Sequence, residues 1–146
     1  TTRDGVFAAG DVTNYYDVVF QKRRRDEHWD NARAQGEHAA RMMMAGRKRD
    51  EYIHLRYFFS DFFDLSYEFW GDPSRADRVV QRGDLRDPNL SVWWLDGNRV
   101  DAAFIMNRPD EERALAPRWI KSRRRVLTEE LLDPDKSLSE MIPALI

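Results

Sequence analysis

Two apolar runs at 91–95 and 99–106 flank the dipeptide Asp96-Gly97, and this arrangement constrains the fold more than any other feature of the sequence. Asp-Gly between two apolar segments is the strongest short-range signal for a β-hairpin. Residues 65–69 alternate apolar and polar side chains, which is the period of a half-buried strand, and 78–81 is a further candidate strand. These segments predict an antiparallel sheet in the second part of the chain.

Helices are predicted to flank this sheet. Residues 109–125 begin with Pro109, carry acids at 110–112 in the first turn and end in the basic run 121–125, as expected for a helix whose dipole is compensated. Pro117 is expected to kink this helix. One more helical turn is predicted at 128–132. The predicted class is therefore α+β, with an antiparallel β-sheet and flanking helices.

The first part of the chain has a different pattern. Residues 5–12 form a short apolar run that ends at Gly10 and Asp11, as a buried strand does when it delivers a polar residue to the ligand-binding edge of an open α/β sheet. A helix is predicted from Glu27 to about Ala45, with Gly46 as its stop. Its predicted inner face is made mostly of small residues: Trp29, Ala32, Gly36, Ala39 or Ala40, and Met43.

Composition changes after residue 50, because half of the aromatic residues lie between 52 and 70. Two domains are therefore predicted, 1–50 and 51–146. The chain begins with Thr1 and with what reads as a strand already within a fold, which predicts a fragment of a longer protein.

Composition also excludes several kinds of function. The formal net charge of −2 argues against a protein that coats nucleic acid. The chain has no cysteine, so it has no disulfide and no thiolate metal site, and any redox chemistry must come from a bound cofactor. Its three histidines, His28, His38 and His54, form no metal-ligand pattern. No apolar run is long enough to span a bilayer, and a soluble, cytoplasmic protein without membrane partners is predicted.

The segments Thr2 to Val12 and Glu27 to Gly46 resemble a known family. The Ala-Gly-Asp-Val element, followed by Glu27 to Ala32 at a helix start, is similar to the end of the FAD-binding domain of flavoprotein pyridine-nucleotide reductases. This branch includes ferredoxin and rubredoxin reductases and proteins like apoptosis-inducing factor. The later segments 57–61, 63–65, 96–97 and the helix with Trp119 resemble the C-terminal domain of the same reductases.

The resemblance implies an FAD site. In the family the Asp of the Gly-Asp motif bonds the ribityl chain, which assigns that role to Asp11 between Gly10 and Val12. The next helix directs its N-terminus, here His28 and Trp29, at the pyrimidine end of the flavin, where its free N–H groups favour negative charge. The aromatic-Ser-Asp segment is a loop that approaches the flavin, and Phe59 occupies the position where ferredoxin-reducing members often have Trp.

The resemblance also implies an activity that is shared between domains. NAD(P)H passes a hydride to FAD, and electrons go on to an electron-carrier protein such as ferredoxin or rubredoxin. This chain has no Gly-x-Gly-x-x-Gly loop, so upstream FAD- and NAD-binding domains are implied as partners, no catalytic residue is assigned, and the chain alone is not expected to be active. Two positions leave the identity of the electron acceptor undetermined. Phe59 stands where ferredoxin-reducing members often have Trp, and Arg56 stands where many relatives have Pro.

Other interpretations of these segments stay open. The basic runs 22–25 and 121–125 are most simply solvated helix or loop ends, and alternatively they attract an acidic electron carrier. The acids at 110–112 and 129–130 are interpreted as solubilising groups that compensate helix dipoles. Core packing is preferred for Phe58, Phe63, Leu65 and Phe69. The alternative function is a stand-alone, non-catalytic interaction or dimerisation module, and a homodimer is expected in either case.

Overall fold

The computed structural model describes residues 1–46 and 50–141. The chain divides into two compact units, Thr1–Arg56 and Tyr57–Ile146, so the division lies after Arg56, whereas the sequence suggested residue 50. Among the described residues, no helix is both long enough and apolar enough to cross a membrane.

The first unit contains a short hairpin. Strand β1 (Tyr15–Asp17) pairs antiparallel with β2 (Lys22–Arg24). The buried carboxylate of Asp17 accepts the N–H groups of Val19 and Phe20 and pairs with Arg24 at 3.0 Å, which fixes the turn. The interpretation of 22–25 as a solvated end is therefore wrong for Arg24, which is held against a buried acid, whereas Arg23 and Arg25 are exposed.

Helix α1 (Trp29–Met44) follows the hairpin and confirms the predicted helix. Its N-cap is His28, and it ends where the N–H of Ala45 bonds to the carbonyl of Arg41, with Gly46 at φ +63°. The left-handed φ explains why glycine stops the helix.

The predicted inner face of α1 is wrong. The buried residues of the helix are Asn31 and Gln35, whereas Trp29 is 57% exposed and Met43 is also exposed. Within the first unit, Asn31 and Gln35 bond to the N–H of Gly10, the carbonyl of Asp26 and the hydroxyls of Thr13 and Tyr52. Of the predicted inner face, Ala32 and Ala39 are half-buried, whereas Gly36 and Ala40 are exposed.

The predicted strand at 5–12 is also wrong. The segment consists of turns and irregular backbone, and Val6, Phe7 and Val12 are exposed. A strand requires a neighbour for its N–H and C=O groups. Within the described residues, β1 and β2 pair only with each other, so this segment has no ladder to join.

The second unit is built on a five-stranded antiparallel sheet, as predicted. Its strands are β3 (Tyr57–Phe62), β4 (Leu65–Gly71), β5 (Arg78–Arg82), β6 (Leu90–Asp96) and β7 (Arg99–Met106). Their order in the sheet is β3-β4-β7-β6-β5, and every neighbouring pair is antiparallel. The α+β class is therefore confirmed.

The β6–β7 hairpin is the predicted one, with its turn shifted by one residue. Asp96 pairs with Arg99, so the two-residue loop is Gly97-Asn98, with Gly97 at φ +61°. A β-bulge follows, because Trp94 pairs with Ala102 and Leu95 with Val100, which leaves Asp101 unpaired.

The aromatic-Ser-Asp segment, expected to be a loop, is the edge strand β3. Its six residues pair in register with β4, from Tyr57↔Trp70 to Phe62↔Leu65. Phe63 lies in the turn with φ +54° and is 91% exposed, so the core assignment of Phe63 is wrong. The aromatic residues at four of the six positions 57–62 were the signal for this strand, because aromatic side chains are enriched in strands.

One face of the sheet carries the core of this unit. The helices α2 (Asp110–Lys121) and α3 (Thr128–Leu132) pack on it, and the indoles of Trp93 and Trp119 lie 5.5 Å apart. Short 3-10 turns occur at Pro73–Arg75 and Leu138–Glu140. The largest fully buried apolar side chains of the unit are those of Trp93, Leu95, Ile105, Ile120, Leu131 and Leu138.

Helix α2 confirms the helix predicted at this place and continues through Pro117, but it ends at Lys121 and not at residue 125. Arg123 adopts φ +54°, and the N–H of Arg124 bonds to the carbonyl of Trp119 at 2.8 Å, which is the pattern of a Schellman stop. The basic run then pairs with the β6–β7 hairpin, where the N–H of Val100 bonds to the carbonyl of Arg124.

The interpretation of all acids at 110–112 as solubilising groups is wrong for Glu112. Glu112 is buried and pairs with Arg82 at 2.9 Å and with Arg108 at 2.8 Å. Arg82, which is 1% exposed, also donates to the carbonyls of Leu131 and Asp133. Arg82 therefore holds the segment after α3 against strand β5 through these hydrogen bonds.

Candidate functional site

The Gly10–Asp11 element forms a tight turn at the surface of the first unit. Gly10 has φ +82°, and its carbonyl accepts both the N–H and the hydroxyl of Thr13 at 2.9 and 2.8 Å. The carbonyl of Asp11 accepts the Nε–H of Arg25 at 2.9 Å. The side chains of Asp11 and Val12 are exposed. The turn is thus fixed through its backbone and presents the Asp11 carboxylate outward.

The side chain of Gln35 joins this turn to helix α1. Its carbonyl oxygen accepts the N–H of Gly10 at 2.8 Å and lies 2.8 Å from the Thr13 hydroxyl, whose single proton is shared between this oxygen and the Gly10 carbonyl. An ideal Cβ on Gly10 would lie 3.5 Å from the Cβ of Ala32, so the turn lies directly against the helix. Gln35 therefore sets where Asp11 stands relative to the beginning of α1.

Asn31 and Tyr52 complete this buried polar network. The phenol of Tyr52 donates to the side-chain oxygen of Asn31 at 2.9 Å, and the Asn31 amide donates to the carbonyl of Asp26 at 3.0 Å. Burial, with a smaller contribution from nearby Tyr15, raises the pKa of Tyr52, and burial together with Asp26 raises that of Tyr15. Both phenols remain neutral donors at physiological pH. The sequence analysis missed this network. Its signal was the presence of two amide side chains, Asn31 and Gln35, one helical turn apart in an alanine-rich helix.

The beginning of α1 combines free backbone donors with acids that mostly have arginine partners. The N–H groups of the first turn, Trp29 to Asn31, have no intrahelical acceptor, and among the described residues only that of Asp30 is capped, by His28 at 3.4 Å. Two acids at this end have an arginine beside them, Glu27 with Arg25 and Asp26 with Arg56, and Asp30 lies 3.2 Å from the His54 ring. The positive end of the helix dipole is therefore left to act on a ligand.

His28 and Trp29 stand at this helix start with different exposure. The His28 side chain is half-buried and its ring lies 5.9 Å from that of Trp29. The exposed Trp29 ring has the Arg33 guanidinium 5.9 Å from its centre. An exposed indole at a helix N-terminus offers a flat apolar surface beside backbone donors.

Phe59 lies in the second unit, on the edge strand β3. Its ring is 48% exposed and stacks at 5.9 Å on Tyr57, which in turn stacks at 3.9 Å on Trp70. Glu68 accepts bonds from the Tyr57 hydroxyl and the Trp70 indole. Arg113 of α2 pairs with the same carboxylate at 2.7 Å, which raises the pKa of Arg113. Phe59 is therefore presented on a rigid aromatic support.

The first unit brings Gly10, Asp11 and the start of α1 into one arrangement, and Phe59 belongs to the other unit. An outward carboxylate accepts hydrogen bonds from hydroxyls, and a helix N-terminus binds carbonyl oxygens and anions. These donors and acceptors fit a polyhydroxyl chain and a heterocycle that carries carbonyl groups. The residues can bind and orient such a molecule.

Comparison with known proteins identifies the family. The family model described as reductase C-terminal matches residues 57–142. Monodehydroascorbate reductase of Pisum sativum is 36% identical over 124 residues, which cover 80% of this chain and 28% of that protein. Putidaredoxin reductase CamA of Pseudomonas putida is 27% identical over 139 residues, which cover 94% of this chain and 31% of that protein.

A solved structure, the covalent putidaredoxin reductase–putidaredoxin complex, matches with a TM-score of 0.78 and 30% identity. The match covers 90% of this chain and 31% of the reductase chain. This chain thus spans about three tenths of the length of the curated relatives it matches. The resemblance to the C-terminal part of FAD-dependent pyridine-nucleotide oxidoreductases is confirmed, and the chain belongs to the reductase C-terminal family.

Proposed function

We propose that this chain is the C-terminal portion of an FAD-dependent NAD(P)H oxidoreductase and that it completes the flavin site. The observation that carries the proposal is the bond from Gly10 to Gln35, which fixes the Gly-Asp turn against the helix whose N-terminus is free to bind. Family membership of residues 57–142 supports it independently. FAD, when bound, accepts a hydride from NAD(P)H and releases electrons to an acceptor.

Each candidate residue has one role in this proposal. Asp11 accepts a hydrogen bond from a ribityl hydroxyl, with Gly10 and Val12 giving the turn its shape. The backbone donors at His28 and Trp29 hold the pyrimidine carbonyl end of the ring system and favour negative charge there. Phe59 shields the ring and shapes the approach of the acceptor.

The proposed partners follow from the same relatives. The matched structure is that of a reductase in covalent complex with putidaredoxin, which supports an electron-carrier protein as the acceptor here. The exposed guanidinium of Arg33 and the partly exposed one of Arg25 suit an acidic carrier. Upstream FAD- and NAD-binding domains, a cytoplasmic location and association of two copies belong to the same proposal.

The visible absorbance spectrum tests the proposal directly. The chain is purified together with the polypeptide encoded immediately upstream of it, and FAD is added. We expect flavin absorbance that co-purifies with the protein and bleaches when NADH or NADPH is added. A preparation without bound flavin under these conditions would contradict the proposal and favour the non-catalytic interaction module.

Asp11→Ala tests the assigned contact. Loss of one hydrogen bond of about 0.5–1.5 kcal/mol weakens FAD retention by about 2- to 12-fold. Glu37→Ala is the matched control, because it removes an exposed carboxylate from the same unit. Equal FAD retention in both variants would remove Asp11 from the site.

Phe59→Ala tests the second unit's contribution. The variant should change the rate at which the reduced flavin passes electrons to an acceptor more than it changes the unfolding midpoint. Phe62→Ala, on the opposite face of the same strand and also exposed, is the control. Equal effects of the two variants on the electron-transfer rate would return Phe59 to a structural role.

A further inference from the structure

Phe59 lies on a strand that by itself does not fix the orientation of the ring. Strand β3 is an edge of the five-stranded sheet, and the Phe59 side chain is 48% exposed. Two χ1 rotamers are common in strands, so an exposed aromatic side chain at a sheet edge can take more than one orientation. Phe59 therefore needs a neighbour that selects one orientation if it is to hold a fixed place beside a ligand.

The neighbour that selects this orientation is Tyr57, two residues earlier on the same side of β3. The two rings stack at 5.9 Å with 23° between their planes. The Tyr57 ring in turn stacks at 3.9 Å and 26° on that of Trp70, its cross-strand partner on β4. The rings of Phe59, Tyr57 and Trp70 thus form one continuous series, which we call the aromatic stack.

Glu68 is the polar group that fixes the aromatic stack. It lies directly across from Phe59 in the register of β3 and β4, and its side chain is 13% exposed. One carboxylate oxygen accepts the Tyr57 hydroxyl at 3.3 Å, and the other accepts the Trp70 indole N–H at 3.4 Å. A single carboxylate therefore holds the polar ends of both rings that support Phe59.

Helix α2 holds Glu68 in turn. Arg113 donates at 2.7 Å to the carboxylate oxygen that also accepts the Tyr57 hydroxyl, which is the short distance of a charge-assisted hydrogen bond. The same helix packs against β4 and β7. The carboxylate is thus tied to the packed side of the sheet, and the guanidinium balances its charge beside the rings.

We propose that Glu68 is a positioning residue: it holds Phe59 in one orientation through the aromatic stack, and it thereby sets the rate at which electrons leave the flavin. This inference rests on the proposed function, in which Phe59 shields the ring system and shapes the approach of the acceptor. Displacement of a group by about 1 Å can change a rate by about 10²-fold, so Glu68 affects the reaction without touching the flavin.

The rate of electron transfer distinguishes positioning from a purely structural role. In the assembled reductase, Glu68→Ala should change the rate at which the reduced flavin passes electrons to ferricyanide severalfold, in the same direction as Phe59→Ala. The double variant should match Phe59→Ala alone, because Glu68 acts only through that ring. Glu68→Gln keeps one acceptor oxygen and should fall between wild type and Glu68→Ala. A double variant whose two effects add would overturn the proposal.

Asp110→Ala is the matched control. Asp110 pairs with the same Arg113, at 3.7 Å, but its side chain is fully exposed. An exposed pair of this kind contributes little, so the variant should leave the rate unchanged. Equal responses of the rate to Asp110→Ala and Glu68→Ala would show that charge near Arg113, and not the aromatic stack, governs the rate, which would overturn the proposal.

A fluorine label reports the orientation of Phe59 without any flavin. With para-fluorophenylalanine at position 59 of the 146-residue chain, Glu68→Ala should shift or broaden the fluorine NMR resonance, and Asp110→Ala should not. An unchanged resonance in Glu68→Ala would overturn the proposal. A shifted resonance in a protein that binds no flavin would support the positioning of Phe59 by Glu68 and contradict the proposed function, so the two failures are distinguishable.

Discussion

The side-chain oxygen of Gln35 accepts the backbone N–H of Gly10 at 2.8 Å across 25 residues of sequence. Helix and turn are thereby held in one arrangement by a buried amide. The Thr13 hydroxyl lies 2.8 Å from the same oxygen, so the Gln35 side chain is placed against two polar groups of the turn.

Gln35→Leu should destabilise the first unit and misplace Asp11. The variant leaves the part-buried N–H of Gly10 without its acceptor, whereas the Thr13 hydroxyl keeps the Gly10 carbonyl, so a cost of about 1–3 kcal/mol in unfolding free energy is expected. Urea unfolding measures this cost, and FAD retention in the assembled reductase should fall with it. Glu37→Ala, on the exposed side of the same helix, should change neither quantity appreciably. Stability equal to wild type for Gln35→Leu would contradict the role given to the amide.

Arg82→Met should be among the most damaging single substitutions in the second unit. It leaves Glu112 buried with one of its two cations and removes the donors to the carbonyls after α3, so a loss of about 3–5 kcal/mol is expected. Guanidinium unfolding gives the value.

A matched comparison separates this buried pair from a surface pair. Arg86→Met removes the exposed partner of Asp84 and should leave the unfolding midpoint unchanged. The double variant Arg82→Met/Glu112→Gln should lose less unfolding free energy than the sum of its single variants. Once Arg82 is replaced, the interaction between the two side chains is already absent and the second change cannot remove it again. Strict additivity would show that the two side chains do not stabilise the protein as a pair.

The sequence predicted the second unit better than the first for a physical reason. Three of the four strand pairs in the antiparallel sheet of 57–106 join consecutive strands, so local signals such as Asp96-Gly97 and the alternation at 65–69 predict most of it. The apolar run 5–12 resembles a strand in composition alone, but a strand exists only with a neighbour. No partner for it lies within the described residues.

The errors around the candidate site have a common cause. The sequence pattern assigns small and apolar residues in α1 to the buried face, whereas the unit buries Asn31 and Gln35 because its own partner surface is polar. The turn at Gly10 can be recognised from its resemblance to the family. Its hydrogen bond to the Gln35 side chain cannot, because that bond forms only when the tertiary fold brings the two residues together. Likewise, Glu112 looks like any first-turn acid until Arg82 is brought beside it by β5.

Gly71→Ala should destabilise the sheet strongly. Gly71 has φ +89°, and an added Cβ would lie 2.2 Å from the carbonyl oxygen of Asp101 in the bulge. The left-handed conformation and this overlap together predict a loss of at least about 2 kcal/mol in unfolding free energy. Thermal or urea unfolding checks it.

Gly36→Ala makes the same chemical change where there is space. Gly36 lies within α1 with no atom near an added Cβ, so helix propensity should stabilise the chain by about 0.5–1 kcal/mol. Opposite signs for the two variants are the expected result. A loss for Gly36→Ala in this chain would mean that the small-residue stripe of α1 already packs against a surface.

Asp101→Asn should alter the dependence of stability on pH. Burial raises the pKa of Asp101 above its usual value near 3.9, against the opposing effect of Arg99 at 3.5 Å. The folded state therefore binds this proton more tightly than the unfolded state does.

The stabilising contribution of the Asp101 proton is fully present below the unfolded pKa and is lost as the pH rises through the folded pKa. Unfolding free energies measured from about pH 4 upward should therefore decline less in Asp101→Asn than in wild type. The asparagine keeps the size of the side chain and the bulge, so the comparison isolates the charge. Parallel pH curves for wild type and Asp101→Asn would show that the bulge does not perturb this carboxyl.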